Sequence, residues 1–293
     1  MAIGHCYSHA LNHLMPIGYL ARRFWGYFLI VLMLPAVVIG AEAQNAFNEG
    51  VKFYRAGKFK DAVAAFNRAV KAAPKSAEAY NNRGLAYFKL GQIDSAVKDY
   101  DEAIKLNPQS TDAFFNRGNA HIAHKHYDRA VKDFDEVIKN EPSAARAYRQ
   151  RALAHNALKQ FDKAVADFNQ AQKSDPKDVE IYYNRGLAHR RLGKNDLAVQ
   201  DFSEAIKLEP KNAESYNNRA NAYSLLGRYE DAVKDYDEAI KLEGKNAKIY
   251  ANRGVIRARL GKSDDAQKDF RKAIELDPGL KDSLEPLIAP SKR

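Results

Sequence analysis

The chain repeats one 34-residue pattern seven times without a gap, from residue 43 to about residue 280. A small residue marks the first column of this pattern: Gly50, Gly84, Gly118, Ala152, Gly186, Ala220 and Gly254. Alanine and aromatic columns keep the same step: Ala62, Ala96, Ala130, Ala164, Ala198, Ala232 and Ala266, then Phe66, Tyr100, Phe134, Phe168, Phe202, Tyr236 and Phe270. A fixed period of this length predicts a solenoid, in which units bury their apolar faces by stacking on one another.

Each unit has the pattern of two short helices. In the second unit, apolar and small residues recur at helical steps on both sides of a glycine: Tyr80, Gly84 and Tyr87 before Gly91, then Ala96, Tyr100 and Ala103. Asp94 is expected to cap the second helix, since its side chain can accept from free N–H groups. Prolines close every unit except the sixth, which has Gly244: Pro74, Pro108, Pro142, Pro176, Pro210 and Pro278. The sequence therefore predicts an all-α chain of antiparallel helix pairs, with the aromatic column filling the space between units.

These columns closely resemble the tetratricopeptide repeat family over about four-fifths of the chain. The resemblance implies a right-handed α-α superhelix of seven helix-turn-helix repeats, with a short C-terminal capping helix at 281–284. It also implies that the first helices line a concave groove that binds proteins or peptides. One column that is often Leu in the family carries Arg here, which resembles an arginine-bearing bacterial subtype.

An arginine column is matched by aspartates sixteen residues later in repeats two to seven: Arg83 and Asp99, Arg117 and Asp133, Arg151 and Asp167, Arg185 and Asp201, Arg219 and Asp235, Arg253 and Asp269. Repeat one lacks both, with Glu49 and Ala65 at these places. This joint presence and absence predicts a structural ion pair within each unit, for which a planar guanidinium is well suited. A functional ladder of arginines is the alternative.

Residues 1–43 differ from the repeats. Arg22 and Arg23 precede an apolar run at 24–40, and an Ala-x-Ala pattern ends at Ala43. This predicts a secretory signal peptide cleaved before Gln44, with an uncleaved membrane anchor as the alternative. The domains are then 1–43, the repeats at 44–280, and a cap and tail at 281–293. Translation from Met15 is a further hypothesis. We expect an exported protein of the bacterial periplasm or cell envelope.

The net charge of +10 lies largely in mixed-sign helix surfaces, so we predict no nucleic-acid partner. The repeats contain no cysteine, no HExxH motif and no phosphate-binding glycine loop. We therefore predict a chain that is not an enzyme and needs no cofactor or metal. His121, His155 and His189 form one repeat column and are interpreted as packing residues. A metal cluster of His121, His124 and His126 is the disfavoured alternative.

The expected function is an exported scaffold or adaptor that binds a protein or extended peptide in the groove. Partner-binding residues of the first helices are predicted at Phe47, Tyr54, Phe88, Phe115, Asn116, Arg146, Arg149, Tyr183, Asn184, Arg190, Arg191, Asn217 and Asn221. Aromatic residues followed by arginines favour a partner with hydrophobic and acidic residues. The alternatives are a membrane-tethered envelope assembly factor, if residues 1–43 stay attached, and a glycan-binding or enzyme-accessory module.

Overall fold

The computed structural model describes residues 40–288, which form two compact units at 40–194 and 195–288. All regular elements within this range are helical. The prediction of an all-α repeat of helix pairs with a short C-terminal helix is confirmed. The expected signal peptide lies outside the described residues, apart from its last few positions. Those belong to α1, which begins at Ala41, so cleavage before Gln44 would remove the first turn of that helix.

The first unit contains four helix pairs and a ninth helix. Their bounds are α1 Ala41–Arg55, α2 Phe59–Ala72, α3 Ala77–Lys89, α4 Ile93–Leu106, α5 Thr111–Ala123, α6 Tyr127–Asn140, α7 Ala145–Ala157, α8 Phe161–Ser174 and α9 Val179–Arg191. Each odd-numbered helix up to α7 packs against the even-numbered helix that follows it, and each even-numbered helix packs against the next repeat. Successive first helices also contact one another, as α3 does α5.

The second unit continues the same pattern. Its helices are α10 Asn195–Leu208, α11 Ala213–Leu225, α12 Tyr229–Leu242, α13 Ala247–Arg259, α14 Ser263–Leu276 and the short α15 Lys281–Leu284. Leu284 of α15 is buried against Phe270 and Ala273 of α14, together with Leu280 and Ile288. The short helix thus covers the apolar side of the last repeat. In the described part of the chain, no helix is long and apolar enough to span a membrane.

The aromatic column lies directly over the small-residue column of its own repeat. A Cβ added to Gly118 would stand 2.8 Å from the ring of Phe134, and one added to Gly84 would stand 2.7 Å from Tyr100. The ring is fully buried in every repeat. The same ring also packs against the next repeat, as Phe168 does in a cluster with Ile181. The prediction that this column fills only the space between units was therefore incomplete, because glycine leaves room for the ring within the unit.

The helix N-termini differ from expectation. Asp94 is the second residue of α4 rather than its cap, and no side chain caps that helix. The side-chain caps lie on the first helices instead, where Ser76 and Ser110 accept from N–H groups three residues later, at 3.2 and 3.3 Å. The Asp94 prediction was wrong. An acidic side chain in the first turn still interacts favourably with the helix dipole without forming a capping hydrogen bond.

The turn between the helices of a pair requires a left-handed residue. Glycine supplies it in five repeats, with φ between 72° and 74°: Gly57, Gly91, Gly193, Gly227 and Gly261. In repeats three and four, Lys125 and Lys159 adopt φ of 60° at the same position. Glycine adopts this conformation without steric cost, whereas the two lysines carry a small penalty that the stacked fold compensates.

Ser215→Ala should raise the free energy of unfolding by about 1 kcal/mol. Ser215 is fully buried and its hydroxyl has no hydrogen-bond partner among the described residues, whereas Ala79 and Ala113 occupy the same column. Chemical denaturation measures the change. Ser224→Ala, on a half-buried position of the same helix, is the control and should gain only the helix-propensity difference of about 0.5 kcal/mol. Equal gains would mean that the buried hydroxyl carries no penalty.

Candidate functional site

Within each of the two units, arginines of the column form a bidentate ion pair with the aspartate of their own repeat. The Nε and Nη2 atoms of Arg151 donate to the two carboxylate oxygens of Asp167, at 2.8 and 2.7 Å. The same arrangement joins Arg83 to Asp99, Arg117 to Asp133, Arg219 to Asp235 and Arg253 to Asp269. Each of these aspartates is buried, and each arginine lies over the ring of the Tyr or Phe three residues before it. The column therefore anchors the two helices of a repeat.

The third nitrogen of each guanidinium makes a contact that sequence reasoning missed. Nη1 of Arg151 donates to Asp135 of the preceding repeat at 2.6 Å. The acceptor lies sixteen residues before the arginine in every case: Asn67, Asp101, Asp135, Asn169, Ser203 and Asp237. The sequence signal for this contact was a column of polar residues sixteen positions before the arginines. Each arginine thus joins two successive repeats as well as two helices.

Two arginines predicted to meet a partner are already paired inside the fold. Arg146 donates to Asp112 at 2.9 Å and lies 4.7 Å from the ring centre of Phe115. Arg149 lies 3.0 Å from Asp178 and 2.5 Å from Glu180 of the next repeat. Both cations therefore neutralise carboxylates of neighbouring first helices, which the separate residue columns did not indicate.

The predicted aromatic residues fall into two groups. Phe47, Phe115 and Tyr183 are 5–7% exposed and belong to the core. Tyr54 and Phe88 are half-buried and remain accessible on the first helices. Of the predicted aromatic residues in the first unit, only this second group offers apolar surface to a partner. In the second unit, Leu225 and Val255 do so, at 63% and 37% exposure.

The predicted asparagines make hydrogen bonds within the chain. The side-chain amide of Asn116 donates to Asn81 at 2.9 Å, and that of Asn184 donates to the carbonyl oxygen of Glu180 at 2.8 Å. Both asparagines are buried. In the second unit, Asn221 accepts from the hydroxyl of Tyr236 at 2.7 Å. The contacts of Asn116 and Asn221 join neighbouring helices, whereas that of Asn184 lies within α9, and all three use hydrogen-bonding capacity that was predicted to serve a partner.

Several buried polar atoms of the first helices instead have no hydrogen-bond partner among the described residues. They are the hydroxyl of Tyr54, Oε1 of Glu78, Nδ2 of Asn119, Oδ1 of Asn156 and Oδ1 of Asn217. Burial raises the pKa of Tyr54 to about 12 and raises the pKa of Glu78 above its usual value. Unsatisfied buried donors and acceptors are costly, so these atoms lower the stability of the fold, and their burial keeps them from direct contact with a partner.

The end of α9 carries the remaining predicted cations. Arg190 is half-buried, and Arg191 is exposed and forms no ion pair with the residues that the structure describes. In the second unit, the half-buried Asn217 and Asn221 lie on α11. Arg191 is thus the cation of the predicted set that stays available to an acidic group.

The histidine column is buried against the ion pairs. Nε2 of His121 lies 3.8 Å from Asp133, and Nε2 of His155 lies 3.8 Å from Asp167. His124 instead contacts Asp94 at 3.1 Å. Within residues 40–288, no group of three or more histidine, cysteine or acidic residues is arranged to hold a metal ion.

Comparison with known proteins adds a family assignment to this geometry. Models described as the tetratricopeptide repeat match residues 47–111, 115–179, 213–246 and 247–280, and a TPR repeat model matches 186–227. No curated protein matches the chain significantly.

Solved structures share the fold at low identity. The C-terminal part of a TPR repeat-containing protein from Cytophaga hutchinsonii is 17% identical, over 82% of this chain and 98% of that one, with a TM-score of 0.69. A tetratricopeptide repeat protein from Parabacteroides merdae is 20% identical, over 85% and 98%, with a TM-score of 0.62. YrrB, described as a TPR protein with an unusual peptide-binding site, is 20% identical, over 61% and 93%, with a TM-score of 0.56. At these identities the likeness concerns the fold.

Proposed function

Because this chain belongs to the tetratricopeptide repeat family, we propose that it is a non-catalytic scaffold that binds another protein through its first helices. Repeat arrays of this kind present extended binding surfaces rather than enclosed reaction sites. The observation that carries the proposal is the surface that the first helices of the first unit leave accessible, with the half-buried rings of Tyr54 and Phe88 and the exposed guanidinium of Arg191.

An extended peptide with apolar and acidic residues is the partner that this surface fits best. The half-buried rings of Tyr54 and Phe88 supply apolar surface on the first helices. Arg191 favours an acidic residue in the partner. Arg146 and Arg149 do not add to that preference, because carboxylates of the fold already neutralise them.

We place the protein in the bacterial periplasm or cell envelope. The basic pair, apolar run and Ala-x-Ala pattern within residues 1–43 support this location. Sequencing the N-terminus of the protein isolated from cells tests the proposal. A chain beginning at Gln44 supports a released scaffold. An intact N-terminus in the membrane fraction supports the tethered assembly factor instead.

Site-specific photo-crosslinking tests the binding surface. A photoreactive residue replaces Phe88 on α3 of the full chain, and a matched one replaces Lys105, an exposed residue of α4. We expect a crosslinked protein from position 88 and none from position 105. Arg191→Glu should then reduce the yield at position 88. Crosslinking from position 105 alone would place the partner on the second helices and contradict the proposed surface.

A further inference from the structure

One column of the first helices holds histidine in three successive repeats. The column contains Phe53, Tyr87, His121, His155, His189, Tyr223 and Arg257. The three histidines are buried, with 6–8% exposure. Tyr87 and Tyr223, at the same position in repeats two and six, lie about 6 Å over the arginines of their own repeats, Arg83 and Arg219. Repeats three to five therefore carry a titratable group where the others hold an aromatic ring or a permanent cation.

His121 lies beside an ion pair whose carboxylate it does not reach within hydrogen-bond distance. Both oxygens of Asp133 accept from Arg117, at 2.6 and 3.1 Å, while Nε2 of His121 stays 3.8 Å from the carboxylate. Nδ1 of His121 has no hydrogen-bond partner among the described residues. The other charged or titratable groups that act on it are Arg129, His126 and Asp101. If His121 were protonated, it would be a second buried cation beside Arg117, and the two cations would share the carboxylate of Asp133.

His155 repeats this arrangement in the next unit. Its Nε2 lies 3.8 Å from Asp167, whose oxygens accept from Arg151 at 2.7 and 2.8 Å. Its Nδ1 lies 2.9 Å from Oε1 of Gln160. Lys163 is the further cation that acts on it. Two adjacent repeats thus share one acid-sensitive arrangement around the ion pairs that hold their helices together.

We propose that mild acid loosens repeats three and four by protonating His121 and His155, and thereby releases a partner bound to their first helices. The release step rests on the proposed scaffold function, whereas the loosening does not. His121 lies on α5 and His155 on α7, and these helices stand between α3, which carries Phe88, and α9, which carries Arg191. Loosening α5 and α7 therefore acts on the surface proposed to hold the peptide.

The direction of the effect follows from the linkage of proton binding to folding. Burial, followed by Arg117, lowers the pKa of His121 to about 4, and burial lowers the pKa of His155. The unfolded chain has histidine pKa values near 6.5, so it binds protons that the folded chain does not. The stabilisation is therefore complete above about pH 6.5 and is lost as the pH falls toward 4. Burial raises the pKa of Asp133, which acts with the opposite sign in the more acidic carboxyl range.

Amide hydrogen exchange of the full chain between pH 7 and pH 5 tests the loosening. After correction for intrinsic exchange, protection of α5 to α8 should fall by up to about 30-fold per histidine at pH 5. The variant His121→Tyr/His155→Tyr, which copies repeats two and six, should keep its protection across this range. His121→Phe/His155→Phe, which copies Phe53 of repeat one, is a second variant in case tyrosine does not fit. Equal pH dependence in the wild type and in a folded variant overturns the proposal.

A converse variant and the crosslinking yield complete the test. Tyr87→His should introduce acid sensitivity into α3 and α4, and an unchanged profile there would contradict the mechanism. The crosslink from position 88 should weaken at pH 5 in the wild type and persist in the double tyrosine variant. If no crosslink forms at any pH while protection still falls in mild acid, the proposed release of a partner is wrong and the proposed loosening of the repeats is supported. The failure of the scaffold function is then distinguishable from the failure of the switch.

Discussion

Arg151→Met should lower the free energy of unfolding by about 3 kcal/mol, because it leaves a buried carboxylate without its partner. Asp167 is 5% exposed, and both of its oxygens accept from Arg151. The same substitution also removes the link to Asp135 of the preceding repeat. Urea denaturation of the purified chain measures the change.

Two controls separate the loss of the ion pair from the loss of a charge. Arg146→Met removes a pair whose side chains are 42% and 52% exposed, so it should cost at most about 1 kcal/mol. Arg151→Met/Asp167→Leu should recover a large part of the loss, since the unpaired charge is gone. If Arg151→Met costs no more than Arg146→Met, the arginine column does not anchor the repeats.

Phe134→Ala should cost about 3–5 kcal/mol, because it opens a cavity at the centre of repeat three. The ring is fully buried and lies over Gly118, whose missing side chain leaves the space that the ring fills. Phe115 packs against it with ring centres 5.7 Å apart. Thermal and chemical unfolding measure the loss.

Phe134→Tyr is the matched variant, and we expect it to gain stability rather than lose it. Repeat six holds Tyr236 at this column, and its hydroxyl donates to Asn221 at 2.7 Å. Asn119 occupies the position of Asn221 in repeat three, and its unpartnered Nδ2 can donate to a hydroxyl at position 134, a hydrogen bond worth about 1 kcal/mol. A large loss on Phe134→Tyr would show that the repeats are not interchangeable at this column.

Much of the fold could be predicted because every repeat carries the same small, alanine and aromatic columns, which pack in the same way. A small-residue column and an aromatic column that recur at one 34-residue period made the helix pairs evident from spacing alone. The own-repeat arginine–aspartate pairs could be predicted for the same reason, since repeat one lacks both members. Helix capping was the exception. Asp94 has the chemistry of a cap, but the cap position is held by Gln92, two residues earlier, and the spacing of apolar residues does not resolve so small an offset.

The candidate site was less accessible to sequence reasoning because its residues differ from one repeat to the next. Arg149 and Glu180 lie 31 residues apart, and no repeat column links them. Phe115 has the aromatic side chain typical of a binding residue, but Arg146 and Phe134 pack against it and bury it. Whether a first-helix side chain faces a partner or a neighbouring repeat depends on contacts between units, and these contacts follow no fixed period.

The sequence by itself determined the helix pairs, the small and aromatic columns that pack them, and the arginine–aspartate pairs within repeats two, three, four, six and seven. Those features depend on residues that recur at one period, and periodicity directly encodes which face of a helix is buried. Only the tertiary structure decided which first-helix residues remain available, that each arginine also bonds the preceding repeat, and that His121 and His155 lie against occupied carboxylates. Such properties depend on the distances between side chains of neighbouring units, and those distances are fixed only when the repeats stack.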